Sequence, residues 1–171
     1  MQRKILVMGL PGAGKTTLAN VLAPLLNAVV FNADAVRANL SRDLGFSPQD
    51  RIEHARRMGW MCDRVVEAGG TVIADFICPT SETRAAFGDC FTIWLDRIQA
   101  GRLEDTNRMF VPPEQFDVRI TAEGTPQGRL IHDQVRLHMV RTDSHQLRPV
   151  AADSAQAEAV TVVTRAPKTL I

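Results

Sequence analysis

The chain has 171 residues, which is about the length of one domain. Hydrophobic residues make up 45% of it and charged residues 23%, and the formal net charge is +1. This is the composition of an ordinary globular protein, and it excludes a disordered chain or a strongly basic nucleic-acid binder. No apolar run reaches the roughly 18 to 20 residues of a membrane span. We therefore expect a cytoplasmic protein with no membrane contact. The three cysteines lack a C-x-x-C spacing and indicate neither a disulfide framework nor a zinc site.

Five short apolar runs predict strands, and helix-length segments separate most of them. The runs cover residues 4–8, 28–31, 71–74, 91–95 and 116–121. The first is continuous rather than alternating, which is typical of a strand buried on both faces of a parallel sheet. We therefore predict an α/β fold, a three-layer sandwich with a mostly parallel sheet of about five strands and helices on both faces.

Three helices are predicted between and after these runs. The first covers residues 15–26, and the third is expected over residues 126–140. The second begins after Ser47, a hydroxyl cap followed by proline, and should run to about Ala68. Its spacing predicts that residues 52, 55, 59, 62 and 66 face the sheet, with residues 51, 54 and 58 on the flank. We assign residues 1–142 to one domain and residues 143–171 to a partly ordered tail with a strand-like patch at 160–163.

A phosphate-binding motif follows the first predicted strand. Residues 9–16 read G-L-P-G-A-G-K-T, which satisfies G-x-x-x-x-G-K-[ST] between a strand and a helix. In that setting backbone N–H groups surround a phosphate, and the helix N-terminus adds partial positive charge. The motif predicts a P-loop NTPase that binds ATP, with Lys15 at the β and γ phosphates and Thr16 holding Mg²⁺. The predicted ATP-binding residues are Gly9, Pro11, Gly12, Ala13, Gly14, Lys15, Thr16 and Thr17.

Two aspartates are expected at the same edge of the sheet. Asp34 lies just past the second predicted strand, and Asp75 ends the third. Ligands of open α/β sheets bind at this edge. Asp34 could accept a proton from an attacking hydroxyl or hold the metal, or it could simply cap a helix that starts at Ala35. Asp75 has the placement of a metal-linked carboxylate of Walker B type, and a plain turn acid is the alternative.

Residues 4–96 resemble the adenylylsulfate kinases, which use ATP to phosphorylate the 3′-hydroxyl of adenosine 5′-phosphosulfate (APS). Besides the phosphate loop, residues 31–37 read F-N-A-D-A-V-R against the family pattern L-D-G-D-x-V-R. Residues 41–47 read S-R-D-L-G-F-S against N-[RK]-D-L-G-F-S. Residues 50–57 read D-R-I-E-H-A-R-R against D-R-x-E-N-I-R-R, and residues 76–79 read F-I-C-P against F-I-S-P. The spacing from Asp34 to Arg57 is ungapped.

The resemblance implies a role for individual residues. Asp34 would be the catalytic carboxylate, Phe46 would stack on the base of the acceptor, and Arg37 and Arg51 would bind its anionic groups. Stacking on a ring and charge-assisted contacts from arginine are what a nucleotide acceptor needs. The acceptor residues implied in this way are Arg37, Phe46, Arg51, His54, Phe76, Ile77 and Cys78.

The chain departs from the family pattern in four places. Asn32 replaces its first aspartate, His54 its acceptor-contacting asparagine and Cys78 its serine. The lid motif K-G-L-Y-x-K-A-R is replaced by G-R-L-E-D-T-N-R at residues 101–108. Arg102 and Arg108 are the candidates for a catalytic lid cation.

Three hypotheses follow for function. The first is an APS kinase that uses Mg²⁺ and ATP and acts on a small nucleotide. The second is a diverged kinase of the same family that acts on another acceptor, such as a modified nucleotide or 5-hydroxymethyluracil in DNA. The third is a non-catalytic ATP-binding module. The sequence leaves a homodimer open.

Overall fold

The computed structural model of the protein describes residues 3–101, 103–121 and 162–164. Six strands form one sheet in the order β2-β3-β1-β4-β5-β6. The first five strands in this order are parallel, and β6 pairs antiparallel with β5. The strands are β1 (Lys4–Gly9), β2 (Ala28–Asn32), β3 (Thr71–Asp75), β4 (Phe91–Leu95), β5 (Val118–Ile120) and β6 (Val162–Thr164).

Five helices are described, and they lie between the parallel strands in the chain. They are α1 (Lys15–Leu26), α2 (Ala33–Leu40), α3 (Pro48–Glu67), α4 (Ser81–Phe87) and α5 (Glu104–Met109). The predicted α/β fold with a mostly parallel sheet is confirmed. The helix predicted over residues 126–140 lies outside the described residues. Among those that are described, no helix is both long and apolar enough to cross a bilayer.

The central strands are buried on both faces, as their continuous apolar runs predict. In β1, Ile5 and Val7 pack in one cluster with Leu18 and Leu22 of α1. Leu6 and Met8 point to the opposite face and belong to a second cluster with residues of α2, α3 and α4. The sheet therefore separates two apolar layers, and its carboxyl edge, where β1, β2 and β3 end, carries the polar residues.

Helix α3 begins as predicted, but its buried face is wider than the predicted stripe. The Ser47 hydroxyl accepts a hydrogen bond from the Asp50 N–H at 3.1 Å, which confirms the cap. His54 and Met58, which were expected on the flank, are fully buried, whereas Ile52 and Val66 are only partly buried. The prediction was wrong here because α3 packs against α2 and α4 as well as the sheet, so more than one stripe is covered.

Gly59 sets how closely α3 approaches the end of α4. A Cβ atom at this position would lie 2.3 Å from the backbone oxygen of Phe87, which cannot move aside as a side chain could. We expect Gly59→Ala to lower the free energy of unfolding by about 1 to 3 kcal/mol, the usual cost of overpacking. Urea denaturation measures this. Gln49→Ala, an exposed substitution on the same helix, is the control and should change stability by less than about 0.5 kcal/mol. Equal stabilities for the two variants would contradict this packing argument.

Candidate functional site

The loop between β1 and α1 has the backbone conformation of a phosphate-binding loop. Gly12 and Gly14 have left-handed φ values of 93° and 95°, which glycine adopts without strain. Gly9 has φ 146°, and a Cβ atom there would lie 2.4 Å from the backbone oxygen of Leu95 on the neighbouring strand. The Leu10 carbonyl accepts from the Ala13 N–H at 3.1 Å and from Lys15 Nζ at 3.0 Å. The glycines of the motif are therefore required by backbone geometry.

Helix α1 directs unpaired N–H groups towards this loop. Its N-terminal cap is Gly14, whose carbonyl accepts the first helical bond from the Leu18 N–H at 3.0 Å. The N–H groups of a helix's first turn have no acceptor inside the helix. Within the described part of the chain, no side chain caps α1 at this end. An anion such as a phosphate would satisfy these donors and the partial positive charge of the helix end.

Lys15 is a partly desolvated cation beside two carboxylates. Burial lowers the pKa of Lys15 below its ordinary value, and the nearby charges of Asp75 and Asp34 partly oppose this effect. Because the effect of desolvation is larger than that of the two carboxylates, the charged form of Lys15 is only partly stabilised. The binding of a further anion would stabilise it. The geometry thus suits the predicted contact of Lys15 with nucleotide phosphates.

Asp75 receives two hydrogen bonds on a single oxygen. Thr16 Oγ1 donates to Asp75 Oδ2 at 2.6 Å, and Asn32 Nδ2 donates to the same oxygen at 2.7 Å. Asp75 is only 3% exposed. The hydrogen bond from Thr16 links this carboxylate to the phosphate loop, as expected for a Walker B aspartate.

Asp34 does not cap a helix. Helix α2 begins at Ala33, and its cap is Asn32, whose Oδ1 accepts from the Ala35 N–H at 3.0 Å. The alternative that Asp34 caps a helix starting at Ala35 was wrong, because Asn32 already fills that role. Asparagine is a strong cap residue, so this signal was present in the sequence. Asp34 lies in the first turn of α2 and is exposed, free to meet a substrate.

The residues near the phosphate loop fit Mg²⁺ better than a metal held by protein alone. Within the described ranges, no group of three or more His, Cys, Asp or Glu side chains could hold a metal ion. Magnesium commonly binds through one or two carboxylates together with substrate phosphates and water. The oxygen donors of Thr16, Asp34 and Asp75 match that chemistry, and their role as metal ligands stays a prediction.

A cleft of about 400 Å³ opens beside Phe46. The ring is 66% exposed, and the guanidinium groups of Arg37 and Arg51 lie 4.8 and 5.5 Å from its centre. Arg37 donates to the Gly45 carbonyl at 2.6 Å, and Arg51 donates to the Phe46 carbonyl at 2.9 Å. The structure thus brings together three of the seven residues predicted to bind the acceptor, and hydrogen bonds hold both arginines to the loop that carries the ring.

Helix α5 supplies the other side of this cleft through Asp105, Arg108 and Met109. Arg108, predicted as a lid cation, therefore lines the same cleft as the predicted acceptor residues Phe46 and Arg51, and it forms an exposed ion pair with Glu104 at 3.4 Å. Arg102, the other candidate, lies outside the described residues. Asp105 and Met109 were missed because no local pattern marks them; only the position of α5 brings them to the cleft.

The segment just before α5 packs against the phosphate loop. Asn107 binds both backbone groups of Gly101: its Oδ1 accepts from the N–H at 2.8 Å, and its Nδ2 donates to the carbonyl at 2.9 Å. Gly101 in turn lies against Pro11, since an added Cβ would come within 2.8 Å of the Pro11 backbone oxygen. Gly101 therefore links helix α5 to the phosphate loop.

His54 holds the backbone just before Asp34. Its Nε2 lies 3.1 Å from the Ala33 carbonyl, and its ring packs edge-on against Phe76 with the centres 5.6 Å apart. Burial, reinforced by the charge of Arg37, lowers the pKa of His54 to about 4, so the ring is neutral at neutral pH. Its Nδ1 is buried and finds no hydrogen-bond partner among the described residues. A contact between His54 and an acceptor stays a prediction.

The F-I-C-P segment follows β3 and its Asp75. Phe76 and Cys78 are buried, Ile77 is partly exposed, and Cys78 has a left-handed φ of 47°. Burial raises the pKa of the Cys78 thiol to about 12, so this cysteine is not a nucleophile. The Cys78 carbonyl accepts from Arg84 at 3.2 Å. The acceptor contacts of Phe76, Ile77 and Cys78 stay predictions.

The wrapped glycine loop, the uncapped helix end and the paired Thr16 and Asp75 define the fold as a P-loop nucleotide-binding fold. A family model described as adenylylsulphate kinase matches residues 2–93, more than half of the chain. The chain therefore belongs to the adenylylsulfate kinase family.

Individual relatives agree with this assignment. An adenylyl-sulfate kinase of Bacillus pumilus is 36% identical over 129 residues, which are 72% of this chain and 59% of that protein. One of Chloroflexus aurantiacus is 44% identical over 82 residues, 45% of this chain and 44% of that protein. The chain thus spans about half the length of these curated relatives.

Solved structures show the same fold. A Mycobacterium tuberculosis APS kinase, solved with AMPPNP and APS, superposes with a TM-score of 0.65 at 24% identity, covering 84% of this chain and 99% of that one. A hexameric APS kinase of Thiobacillus denitrificans superposes with a TM-score of 0.61 at 27% identity, covering 82% of this chain and 29% of that one.

Proposed function

We propose that this chain is an ATP-dependent kinase that transfers the γ-phosphoryl group to the 3′-hydroxyl of APS. One observation carries the proposal: the cap of α2 donates to Asp75 beside the phosphate loop, and α2 carries Asp34 in its first turn and Arg37 in its last turn. Lys15 belongs to the phosphate loop, and Arg37 lies over the ring of Phe46, which lines the cleft. Helix α2 therefore carries an exposed carboxylate at the end next to a site suited to a nucleotide triphosphate, and a cation at the end next to a site suited to a second, anionic aromatic molecule.

The reaction requires few groups from the protein. The acceptor oxygen attacks the γ-phosphorus, the bond to the β-phosphate oxygen breaks, and the hydroxyl proton passes to Asp34. Lys15 neutralises charge on the β and γ phosphates, and the N–H groups at the start of α1 orient them. Mg²⁺, when bound through Thr16, Asp34 and Asp75, would neutralise further phosphate charge. Arg108 is suited to close over the bound substrates from α5.

The composition of the cleft supports a nucleotide as the acceptor. Phe46 offers an exposed ring for base stacking, and Arg37, Arg51 and Arg108 offer charge to anionic groups. The relatives described above are named for adenylyl sulfate and give no support to a DNA acceptor. Release of ADP, measured with APS, other nucleotides and hydroxymethyluracil DNA offered side by side, tests the assignment. ADP release with APS is the expected result, and turnover only with another acceptor would overturn it.

Phe46 provides a selective test of the acceptor site. We expect Phe46→Ala to raise the KM for APS by about 5- to 150-fold and to leave the KM for ATP nearly unchanged, because stacking on one base is worth roughly 1 to 3 kcal/mol. Steady-state kinetics with each substrate varied in turn measure both constants.

Trp60→Ala is the matched control for this variant. Trp60 is also an exposed aromatic residue, 56% accessible, with the guanidinium of Arg64 5.3 Å from its ring, but it lies away from the cleft. We expect it to change neither constant. Equal rises in both constants for Phe46→Ala, or a lower melting temperature without any selectivity, would show that the ring merely packs against the start of α3.

A further inference from the structure

We propose that Asn32 is a positioning residue that holds the Asp75 carboxylate and the start of helix α2 in one arrangement without the help of a cation. The inference deepens the proposed function, since it assumes that Asp75 and Asp34 serve phosphoryl transfer. It concerns this chain in particular, because the family pattern has an aspartate at position 32.

Both ends of the Asn32 amide are in use. Nδ2 donates to Asp75 Oδ2 at 2.7 Å, and Oδ1 accepts from the Ala35 N–H at 3.0 Å. An ionised carboxylate can only accept and a backbone N–H can only donate, so a single orientation of the amide satisfies both contacts. The side chain therefore couples the direction of the carboxylate to the position of the helix that carries Asp34.

The contact with Asp75 follows from the register of the sheet. Asn32 and Asp75 are direct partners at the ends of the parallel strands β2 and β3. Thr16, in the first turn of α1, donates to the same carboxylate oxygen at 2.6 Å. One oxygen thus joins the starts of α1 and α2 to the end of β3, and the remaining oxygen of Asp75 takes no part in these two bonds.

An aspartate at position 32 would behave differently. It would cap α2 as well as asparagine does, but it has no N–H to offer Asp75. Two carboxylates would then face each other within hydrogen-bond distance, in a place where Asp75 is almost fully buried. Such a pair is unfavourable unless a cation lies between its members. Asparagine replaces that repulsion with a hydrogen bond.

The test compares Asn32→Asp with the wild-type protein and with Asn39→Asp. Asn39 is the matched control because its Nδ2 donates to the Ala35 carbonyl on the same helix at 2.8 Å, without contact to Asp75. Melting temperatures are measured without nucleotide, in EDTA and in saturating Mg²⁺. We expect Asn32→Asp to melt about 5 °C lower than wild type in EDTA and to recover in Mg²⁺. Wild type and Asn39→Asp should each have the same melting temperature in EDTA and in Mg²⁺.

Equal melting temperatures for Asn32→Asp in EDTA and Mg²⁺ would overturn the proposal. If that variant does not fold in either condition, the Asn32→Ser variant tests the proposal instead, because serine keeps a capping oxygen and adds no charge. Its side chain is too short to reach both partners, so its melting temperature should be lower than that of wild type and insensitive to Mg²⁺. A wild-type melting temperature for Asn32→Ser would also overturn the proposal.

A kinetic readout separates positioning from a general loss of stability. At a temperature where all variants are folded in Mg²⁺, we expect Asn32→Ser, which a cation does not rescue, to lower kcat by about 10- to 100-fold, the usual effect of removing a partner of a metal-linked group. An unchanged kcat would contradict the positioning role. The melting measurements use neither ATP nor an acceptor, so they decide the contact itself even if the chain proves not to phosphorylate APS.

Discussion

Lys15→Ala should abolish ADP release and prevent ATP from raising the melting temperature. The proposed contact of this cation with the β and γ phosphates lies in a partly desolvated loop, where a lost charge is not replaced by water. We expect turnover to fall by at least about 100-fold, the scale seen when one stabilising group is removed. Calorimetry with ATP and the ADP-release assay measure the two effects.

Without bound nucleotide, we do not expect the Lys15→Ala substitution to lower the melting temperature of the protein. Burial lowers the pKa of Lys15, which means that the folded protein bears a cost for keeping this group charged. Lys15→Ala removes that cost together with one hydrogen bond to the Leu10 carbonyl. Without nucleotide the variant should therefore melt no lower than wild type. Near-normal ADP release would refute the assignment of the ATP site.

Asp34→Asn should leave the fold and ATP binding intact while the reaction slows. Loss of a general base usually lowers the rate by a factor of about 100 to 10,000. The amide keeps the size of the side chain but cannot take the hydroxyl proton. Steady-state kinetics, together with an ATP-induced shift in melting temperature, separate catalysis from binding.

Glu82→Gln is the control for Asp34→Asn. Glu82 is likewise an exposed acid in the first turn of a helix, α4, so its replacement removes the same favourable interaction with the helix dipole. We expect the two variants to lose the same small amount of stability and only Asp34→Asn to lose activity. A much lower melting temperature for Asp34→Asn would mean that its carboxylate supports the fold instead of the reaction.

The glycine loop and the alternation of strands and helices could be predicted from the sequence because both are local properties. Left-handed glycines within a few residues of each other set the turns of residues 9–14. The limits of α1 and β4 agree with prediction because their apolar runs end at clear breaks. The ungapped motif from Asp34 to Arg57 identified the family before any contact was known.

The partners of the site residues depend on the tertiary structure. Asn32 and Asp75 are 43 residues apart in the chain and meet only because β2 pairs with β3. His54 is buried because Phe76 and the start of α2 cover a flank of α3 that helical periodicity places at the surface. Arg108 and Phe46 line the same cleft because α5 forms one side of it. The sequence by itself determined which chemical groups are present and where the phosphate loop lies. Only packing decided which groups meet, since a contact between distant elements depends on the register and position of both.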